Sequence, residues 1–335
     1  MSHTILILLG SMALVFVAAL TFVNAIEWTG YKLHLGGSFV SAILSPLFTS
    51  LPELIVILVA LFAYTEKSGE AIGIGTIFGE PLMVSSLSYG LVGIAVLMAY
   101  LIKRRESAVL VIDKTLIIPY VFITILFPLT LVPSIIHIKA VNYIFGFIFV
   151  GTFMFYMWLM YRRRMVEAID DAEQPYLLRI APKTVHNQIA IAVVQLVIAV
   201  SLLYIGSEKM VGSVNDLARS INVSPMGLAL IVIPAATAIP ETISALIWGY
   251  RGKDTLSVGA LVGEKVLYCT IYPALGLFLT SWALDVHARL SVLFTTIVSL
   301  MMLGFIARQR LSWYSLCLGV FFFVGYSILV LLFRV

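Results

Sequence analysis

The chain has 335 residues, of which 61% are hydrophobic and only 11% are charged. A soluble domain carries about 25% charged residues, so this composition excludes an ordinary soluble protein and indicates one that crosses a membrane repeatedly. The two cysteines, Cys269 and Cys317, both lie in apolar runs, so no disulfide framework is predicted.

Apolar segments of about 20 residues or more are long enough to cross a membrane as helices. Ten such segments lie near 3–26, 36–63, 71–100, 110–134, 140–161, 187–210, 223–249, 255–281, 288–307 and 312–333. The first has no basic region before it and no clear cleavage site, so we expect a retained span rather than a signal peptide.

The longest polar stretch, 162–185, separates the ten segments into two groups of five. We therefore predict an all-α polytopic membrane protein with ten transmembrane helices. Its first unit would be 1–161, its linker 162–185 and its second unit 186–335.

The distribution of basic residues predicts the orientation, because Lys and Arg are enriched in cytoplasmic loops. With the amino terminus outside, most of them fall on the inner side. The inner set comprises Lys32, Lys103, Arg104, Arg105, Lys114, Arg162, Arg163, Arg164, Arg179, Lys183, Arg251, Lys253, Arg308 and Arg310, and the outer set comprises Lys67, Lys139, Lys209, Arg219, Arg289 and Arg334. We expect both termini outside, a cytoplasmic linker and location in the cell (inner) membrane.

One sequence pattern occurs twice inside the apolar segments. Residues 46–53 read Pro-Leu-Phe-Thr-Ser-Leu-Pro-Glu, and residues 234–241 read Pro-Ala-Ala-Thr-Ala-Ile-Pro-Glu. In the predicted orientation these copies lie on antiparallel helices, which gives two inverted-topology five-helix repeats. Inverted repeats are common in secondary transporters.

A second pattern follows each copy. Residues 75–80 and 259–264 both fit G-x-x-x-G-E, in the helix after each Pro/Glu segment. Glycines four residues apart allow membrane helices to approach closely. The recurrence of both patterns together is far more specific than either pattern alone.

The residue types of the first pattern suit a hard cation. Each proline frees the carbonyl four residues before it, and a free carbonyl in a membrane must be buried in protein or line a cavity. Thr49 and Glu53 share one helix face, as do Thr237 and Glu241, because each pair is four residues apart. Such oxygen ligands favour Ca²⁺ or Na⁺. For a single copy, a simple proline kink with a hydrogen-bonded glutamate would be an equally good interpretation.

These segments resemble the Ca²⁺/cation antiporter superfamily, whose α-repeats carry G-T-S-L-P-E or a variant. Residues 48–53 match closely, residues 236–241 match more loosely, and the run 206–224 resembles the sixth helix of the family. The resemblance implies ten helices, with helices 2, 3, 7 and 8 around the site and helices 1 and 6 moving against them. It also implies that Glu53 and Glu241 bind the transported cation.

The family pattern also implies that Thr49, Ser50 and Thr237 are neighbouring ligands, but the chain departs from it elsewhere. Thr76 and Ala260 occupy positions where the family usually has Asn or Asp. In contrast, Glu80 and Glu264 replace small polar residues one turn further on. The predicted cation site comprises Glu53, Glu241, Thr49, Thr237, Ser50, Glu80, Glu264 and Thr76, with the four glutamates as metal ligands.

Four nearby glutamates would repel one another and bind protons more readily, so protons could replace sodium as the counter-ion. Alternatively, Glu80 and Glu264 lie away from the site, with Glu264 near an aqueous mouth and balanced by Lys265. Lys265 could itself be a fixed counter-charge for Glu80, Glu241 or Glu264, or could extend towards the membrane interface.

These observations predict a secondary antiporter that exports Ca²⁺ in exchange for H⁺ or Na⁺. Alternatives are Na⁺/H⁺ or Mn²⁺ exchange and, less in keeping with the residues, an intramembrane enzyme. We expect no enzymatic activity, no cofactor besides the transported cations, and no nucleic-acid partner. The lipid bilayer is the expected surrounding.

Overall fold

A computed structural model describes residues 2–32, 50–64, 66–162, 173–180 and 188–332, and these are almost entirely helical. The helices are α1 (Ser2–Lys32), α2 (Leu51–Ala63), α3 (Glu66–Met83), α4 (Tyr89–Leu101), α5 (Ile117–Leu129), α6 (Leu131–Ile136), α7 (Lys139–Arg162), α8 (Tyr176–Ile180), α9 (Gln188–Ile221), α10 (Pro225–Tyr250), α11 (Asp254–Tyr268), α12 (Ile271–Leu279), α13 (Val286–Ala307) and α14 (Trp313–Leu332). A π-helical turn, Val84–Ser88, joins α3 to α4, and a 3₁₀ turn, Lys114–Leu116, precedes α5. Two short strands, β1 (Val109–Val111) and β2 (Arg310–Ser312), pair antiparallel.

Within the described ranges, eight helical segments are long and apolar enough to cross a membrane, and a ninth is α10, which is bent. The eight are Ser2–Lys32, Lys67–Leu101, Lys114–Ile136, Lys139–Met160, Gln188–Ile221, Asp254–Leu279, Val286–Ala307 and Trp313–Val330. The chain is therefore a multi-pass helical membrane protein. Helix α2 is apolar but shorter, and much of the predicted second span, 36–63, lies outside the described residues. The count of ten stays a prediction.

The fourth span, predicted near residues 110–134, begins a few residues later in the structure. Residues 109–111 form β1, and the apolar span begins at Lys114. The Asp113 side chain accepts a hydrogen bond from the Thr115 backbone N–H at 2.8 Å, which caps the helical turn. This hydrogen bond also lowers the pKa of Asp113, because it stabilises the ionised carboxylate.

Contacts at the two ends of the spans define their relative directions. At one end, named the Asp254 end, Arg105 after α4 forms an ion pair of 2.7 Å with Asp254 at the start of α11. The Val111 backbone N–H donates to the same carboxylate. At the other end, named the Glu70 end, the Ser281 hydroxyl after α12 donates to Glu70 near the start of α3 at 2.7 Å. The span α3–α4 therefore runs towards the Asp254 end, and α11–α12 runs away from it.

The helices that carry the two Pro/Glu segments also run in opposite directions. Helix α2 leads into α3 at the Glu70 end. Helix α10 begins beside the start of α13, where the Ser224 hydroxyl donates to Asp285 at 2.6 Å. It ends where Arg105 donates to the Gly249 carbonyl at 2.6 Å, at the Asp254 end. This antiparallel arrangement agrees with the direction that the loop charges predicted.

Buried apolar side chains form two separate clusters. The larger one includes residues of α2–α7 and α10–α14. The smaller one joins α1 and α9 to α2, α3 and α10, and it is rich in alanines such as Ala18, Ala60 and Ala199. Helices α1 and α9 approach closely where a Cβ atom on Gly206 would lie 2.8 Å from Val15 Cγ2. The pair α1–α9 thus packs through a surface of small side chains.

The short helix α8 is attached to this pair by amide side chains. Gln195 of α9 donates to the Thr21 carbonyl at 2.9 Å and to Asn24 of α1 at 3.0 Å. The same two side chains accept hydrogen bonds from the backbone N–H groups of Leu177 and Tyr176, at 2.9 and 3.0 Å. One polar cluster therefore holds α1, α9 and α8 together.

Candidate functional site

The first G-x-x-x-G-E segment brings α3 against α10. A Cβ atom on Gly79 would lie 2.6 Å from the Leu230 carbonyl oxygen, and one on Gly75 would lie 2.7 Å from the Met226 carbonyl oxygen. Any side chain at either position would collide with the α10 backbone. The glycines therefore permit the contact that the pattern predicted. The Leu230 carbonyl, which Pro234 frees from its helical hydrogen bond, lies against Gly79.

This close contact places Glu80 beside the second Pro/Glu segment. The Thr237 hydroxyl of α10 donates a hydrogen bond to Glu80 Oε1. Both side chains are almost fully buried, with Glu80 2% and Thr237 1% exposed. At about 1.5 Å per residue, Glu80 lies about 20 Å along α3 from Glu66, well inside the apolar segment Lys67–Leu101. Glu80 and Thr237 thus meet inside the helix bundle.

Thr76 lies on the same face as Glu80 and is fully buried. Its hydroxyl donates to the Ile72 carbonyl at 2.9 Å, which is a common way for threonine to satisfy its hydroxyl inside a helix. Its remaining lone pair can still serve as a ligand.

Helix α10 bends by 56° between Pro225–Ala238 and Thr242–Tyr250. The bend falls at residues 239–241, where Pro240 removes a helical hydrogen bond. The backbone of Glu241 belongs to the helix, but its side chain lies outside what the structure describes. Just beyond the bend, Thr242 and Ser88 form a buried hydroxyl pair at 2.7 Å. This second polar link also connects the α3–α4 span to α10.

The first Pro/Glu segment begins helix α2. Pro52 lies in the first turn, where a missing backbone N–H costs nothing, and Glu53 also lies in that turn. Glu53 is 2% exposed, and Ser50, which precedes the helix, is also buried. A carboxylate in a first turn is favoured by the exposed backbone N–H groups of a helix start. Thr49 lies outside the described residues.

The second G-x-x-x-G-E helix, α11, carries Glu264, which is 6% exposed. Placement of Glu264 at an aqueous mouth is therefore wrong. Its span is broken at Cys269–Thr270, between α11 and α12. The rings of Tyr268 and Tyr272 stack across this break with centroids 4.4 Å apart. The Tyr272 hydroxyl then donates to the Ser50 carbonyl at 2.6 Å, which links this span to the start of α2.

Lys265 follows Glu264 and is also fully buried, with 0% exposure. Extension of Lys265 towards the membrane interface is therefore wrong. Among the side chains that the structure describes, no carboxylate lies within ion-pair distance of it, since the two ion pairs found there involve other residues. The predicted role of Lys265 as a fixed counter-charge for Glu80, Glu241 or Glu264 therefore does not rest on a direct ion pair with Glu80 or Glu264, and it stays a prediction. A pairing of Lys265 with Glu241 would involve the Glu241 side chain, which lies outside the described structure.

Several of these features were missed by sequence reasoning. Pro81 directly follows Glu80 inside α3, and the π-helical turn begins three residues later. π-Helical turns are rare and frequently occur at functional sites. The adjacent residues Glu80 and Pro81 were a sequence signal for this distortion. No signal in the sequence indicated the hydrogen bond from Tyr272 to Ser50.

In chemical terms the centre holds carboxylates, hydroxyls and carbonyls at membrane depth. Among the described side chains, no group of three or more His, Cys, Asp or Glu residues is close enough to hold one metal ion together. The predicted set of four glutamates is thus not seen as one cluster, and its completion depends on Glu241. Oxygen atoms of this kind can bind a cation or carry a proton.

The fold and its buried carboxylates are those of an ion-transporting membrane protein. A sequence profile described as sodium/calcium exchanger protein matches residues 3–162 and 191–335. The match covers most of the chain, and the chain belongs to this family, within the Ca²⁺/cation antiporter superfamily. Its relatives are exchangers and transporters, not enzymes.

Individual proteins show the same relation. "Putative antiporter CaxA" of Alkalimonas amylolytica is 24% identical over 214 residues, which span 59% of this chain and 66% of that protein. The crystal structure of the H⁺/Ca²⁺ exchanger CAX matches with a TM-score of 0.73 and 17% identity, over 99% of this chain and 85% of that one. The sodium-calcium exchanger NCX_Mj matches with a TM-score of 0.59 and 17% identity, over 96% and 97%. At these identities the two structures support the fold.

Proposed function

We propose that the protein exchanges Ca²⁺ for H⁺ or Na⁺ across the cell membrane through a site near the middle of the bilayer. The observation that carries this proposal is the buried hydrogen bond from Thr237 to Glu80. It joins the helix of one motif to the helix of the other, at the depth where a transported ion must be held. A carboxylate there is costly, by about 2.5–3.5 kcal/mol on insertion scales, so its presence requires a role.

The finer architecture that we propose is ten helices in two inverted five-helix repeats, with the linker inside and both termini outside. The antiparallel directions of α2 and α10 support the inversion. The family match supports the division, because it pauses between residues 162 and 191. The units would be 1–161 and 186–335.

In the proposed site, Glu53 and Glu241 coordinate the cation from the two Pro/Glu segments. Thr49, Ser50 and Thr237 supply neutral oxygens, and Glu80, Glu264 and Thr76 complete the shell or adjust its charge. The burial of Glu53, Glu80 and Glu264 supports this assignment, because each would be expensive to keep ionised without a cation or a proton.

The geometry around Glu80 suits proton coupling in particular. When Glu80 is ionised, it accepts the Thr237 hydrogen bond. When Glu80 is protonated, it can donate to Thr237, whose own proton can turn to the Ile233 carbonyl at 3.2 Å. Both states can therefore be hydrogen-bonded without moving the helices. We propose H⁺ as the counter-ion on this ground, with Na⁺ as the competing outcome.

Purified protein in sealed vesicles tests this function. We expect ⁴⁵Ca²⁺ uptake driven by a pH gradient to be abolished by Glu53→Gln, because the amide keeps the shape but removes the charge that binds Ca²⁺. Glu70→Gln is the matched control, since Glu70 lies at the end of the spans and should leave uptake nearly unchanged.

The driving gradient and the competing ion separate the alternatives. Uptake under a sodium gradient alone would assign Na⁺ as the counter-ion. Full competition by Mn²⁺ with little Ca²⁺ uptake would indicate that Mn²⁺, rather than Ca²⁺, is the transported cation. Unchanged Ca²⁺ uptake by Glu53→Gln would contradict the proposed site itself.

A further inference from the structure

The buried Lys265 side chain lies in a pocket made by three other helices. Its ammonium nitrogen is 5.6 Å from the ring centroid of Tyr89 on α4 and 5.3 Å from that of Tyr120 on α5. It also donates a hydrogen bond of 2.9 Å to the Ser299 hydroxyl on α13. Ring faces within about 6 Å attract a cation through their quadrupole, and more strongly where water is excluded.

The pocket is arranged to receive positive charge. The Tyr89 and Tyr120 hydroxyls are hydrogen-bonded to each other, which fixes the rings at their far edges. Ser299 donates its own proton to the Thr295 carbonyl at 2.6 Å, so its oxygen presents lone pairs to Lys265. Thr295 is fully buried on the same face of α13.

This chemistry differs from the ordinary treatment of a buried charge. Buried charges in proteins are usually paired with an opposite charge or bound to a metal. The groups that face Lys265 from α4, α5 and α13 are instead neutral, and Cys269, which directly follows α11, is neutral in its thiol form. Ring faces and neutral oxygens form the kind of receptor that holds ammonium or an alkali cation.

The position of Lys265 in the repeated pattern adds to this interpretation. Lys265 follows the Glu of the second G-x-x-x-G-E segment, and the corresponding residue of the first segment is Pro81. Pro81 adds a partial negative charge, because it leaves the Ile77 carbonyl oxygen without its helical hydrogen bond. Lys265 adds a positive charge. The two halves therefore use the same position with opposite electrostatic effect.

We propose that Lys265 is a tethered cation that occupies a monovalent-cation site between α4, α5, α11 and α13. The ion at this site is part of the protein. This goes beyond the proposed exchange, because the site and its occupant do not depend on which ion is carried. One position in the second half is thereby closed to a free coupling cation.

The test removes the lysine side chain and supplies a free monovalent cation in its place. Purified Lys265→Ala is titrated with ammonium, sodium or potassium chloride, with N-methylglucamine chloride keeping the ionic strength constant, and thermal unfolding is followed. We expect a saturable rise in the unfolding temperature of several degrees with at least one of these cations. The wild type and Lys253→Ala, whose lysine is exposed, should show no such rise. An identical response of all three proteins would overturn the proposal.

A second pair of variants covers the case in which Lys265→Ala does not fold. Lys265→Arg keeps the charge, whereas Lys265→Met keeps most of the volume without the charge. We expect more folded protein, and a higher unfolding temperature, for the arginine variant. Better folding of the methionine variant would show that the pocket only needs an apolar stem, and would overturn the proposal. Neither measurement uses transport, so the proposed function can fail independently.

Discussion

The hydrogen bond between Thr237 and Glu80 shows how single residues control the charge of the centre. A hydroxyl that donates to a carboxylate stabilises the ionised form, and hydrogen bonds to charged groups contribute about 1.5–3 kcal/mol. Both partners are buried, so the hydrogen bond is shielded from solvent. Thr237 is therefore one of the groups that hold the Glu80 carboxylate in place.

We expect Thr237→Val to lower ⁴⁵Ca²⁺ uptake at low Ca²⁺ concentration by about tenfold or more, since a hydrogen bond to a charged group contributes about 1.5–3 kcal/mol and about 1.4 kcal/mol corresponds to a factor of ten. Valine keeps the shape of threonine and removes the hydroxyl that donates to Glu80. Initial uptake rates across a series of Ca²⁺ concentrations in vesicles provide the measurement.

Thr237→Ser is the control, because it retains the hydroxyl and should keep most of the uptake. An equal loss of uptake in both variants would show that packing at this position, rather than the hydrogen bond, is required. No loss in either variant would show that the hydrogen bond from Thr237 to Glu80 does not contribute to transport.

The residue scale also shows what the sequence could predict. Spacing of four placed Thr76 and Glu80 on one helix face, because helical periodicity is local. The pairing of Glu80 with Thr237 could not be deduced in this way, since it depends on how α3 and α10 pack. The same is true of Lys265, whose neutral pocket draws on four helices that are distant in the chain.

At the scale of elements, the glycines of α3 determine how closely the two motif helices approach. A Cβ atom on Gly75 would lie 2.7 Å from the Met226 carbonyl oxygen of α10, whereas one on Gly259, in the equivalent position of α11, would have Leu116 Cδ2 as its nearest described neighbour, at 3.7 Å. The repeated pattern thus has different consequences in its two copies. Sequence alone predicted the same close approach for both.

We expect Gly79→Ala to destabilise the protein by about 1–3 kcal/mol, the usual cost of overpacking, because its Cβ atom forces α3 away from α10. Gly259→Ala should be neutral or stabilising by about 0.5–1 kcal/mol, since alanine favours a helix where space exists. Unfolding temperatures in detergent compare the two. Equal effects would mean that α3 and α10 do not meet as described.

The spans themselves were largely predictable, because a long apolar run has few alternatives to a membrane helix. The breaks inside the spans were less predictable from the sequence. The interruption at Cys269–Thr270 lies four residues before Pro273, which removes the helical hydrogen bond to the Cys269 carbonyl. Tertiary contacts such as that of Tyr272 with Ser50 also stabilise the interruption, and these contacts leave no local mark in the sequence.

At the scale of the whole molecule, two sets of contacts define opposite faces. Arg105, Asp254 and the paired strands hold one end, whereas Glu70 and Ser281 hold the other. A buried ion pair with both partners retained resists separation, because removal of one partner leaves an uncompensated charge. The proposed orientation assigns the Asp254 end to the cytoplasm.

Membrane-impermeant thiol labelling in intact cells tests this assignment. In a background with Cys269 and Cys317 replaced by alanine, we expect Ser281→Cys and Lys139→Cys to react from outside, and Lys103→Cys and Lys253→Cys to react only after permeabilisation. All four native residues are exposed in the described structure. A complete exchange of the two groups would reverse the orientation and leave the fold intact. A mixed result would contradict the antiparallel arrangement.

The amide cluster of Gln195 and Asn24 has a consequence for any motion of α1 or α9. Separating these two helices would leave the fully buried Gln195 side chain without its hydrogen bonds to α1, at about 1–3 kcal/mol. Moving α1 and α9 together as one body, relative to α2, α3 and α10, breaks none of these hydrogen bonds. Helix α8 would then move with α1 and α9, because its backbone is hydrogen-bonded to the side chains of Asn24 and Gln195. Residues 173–180 are thereby coupled to any motion of α1 and α9.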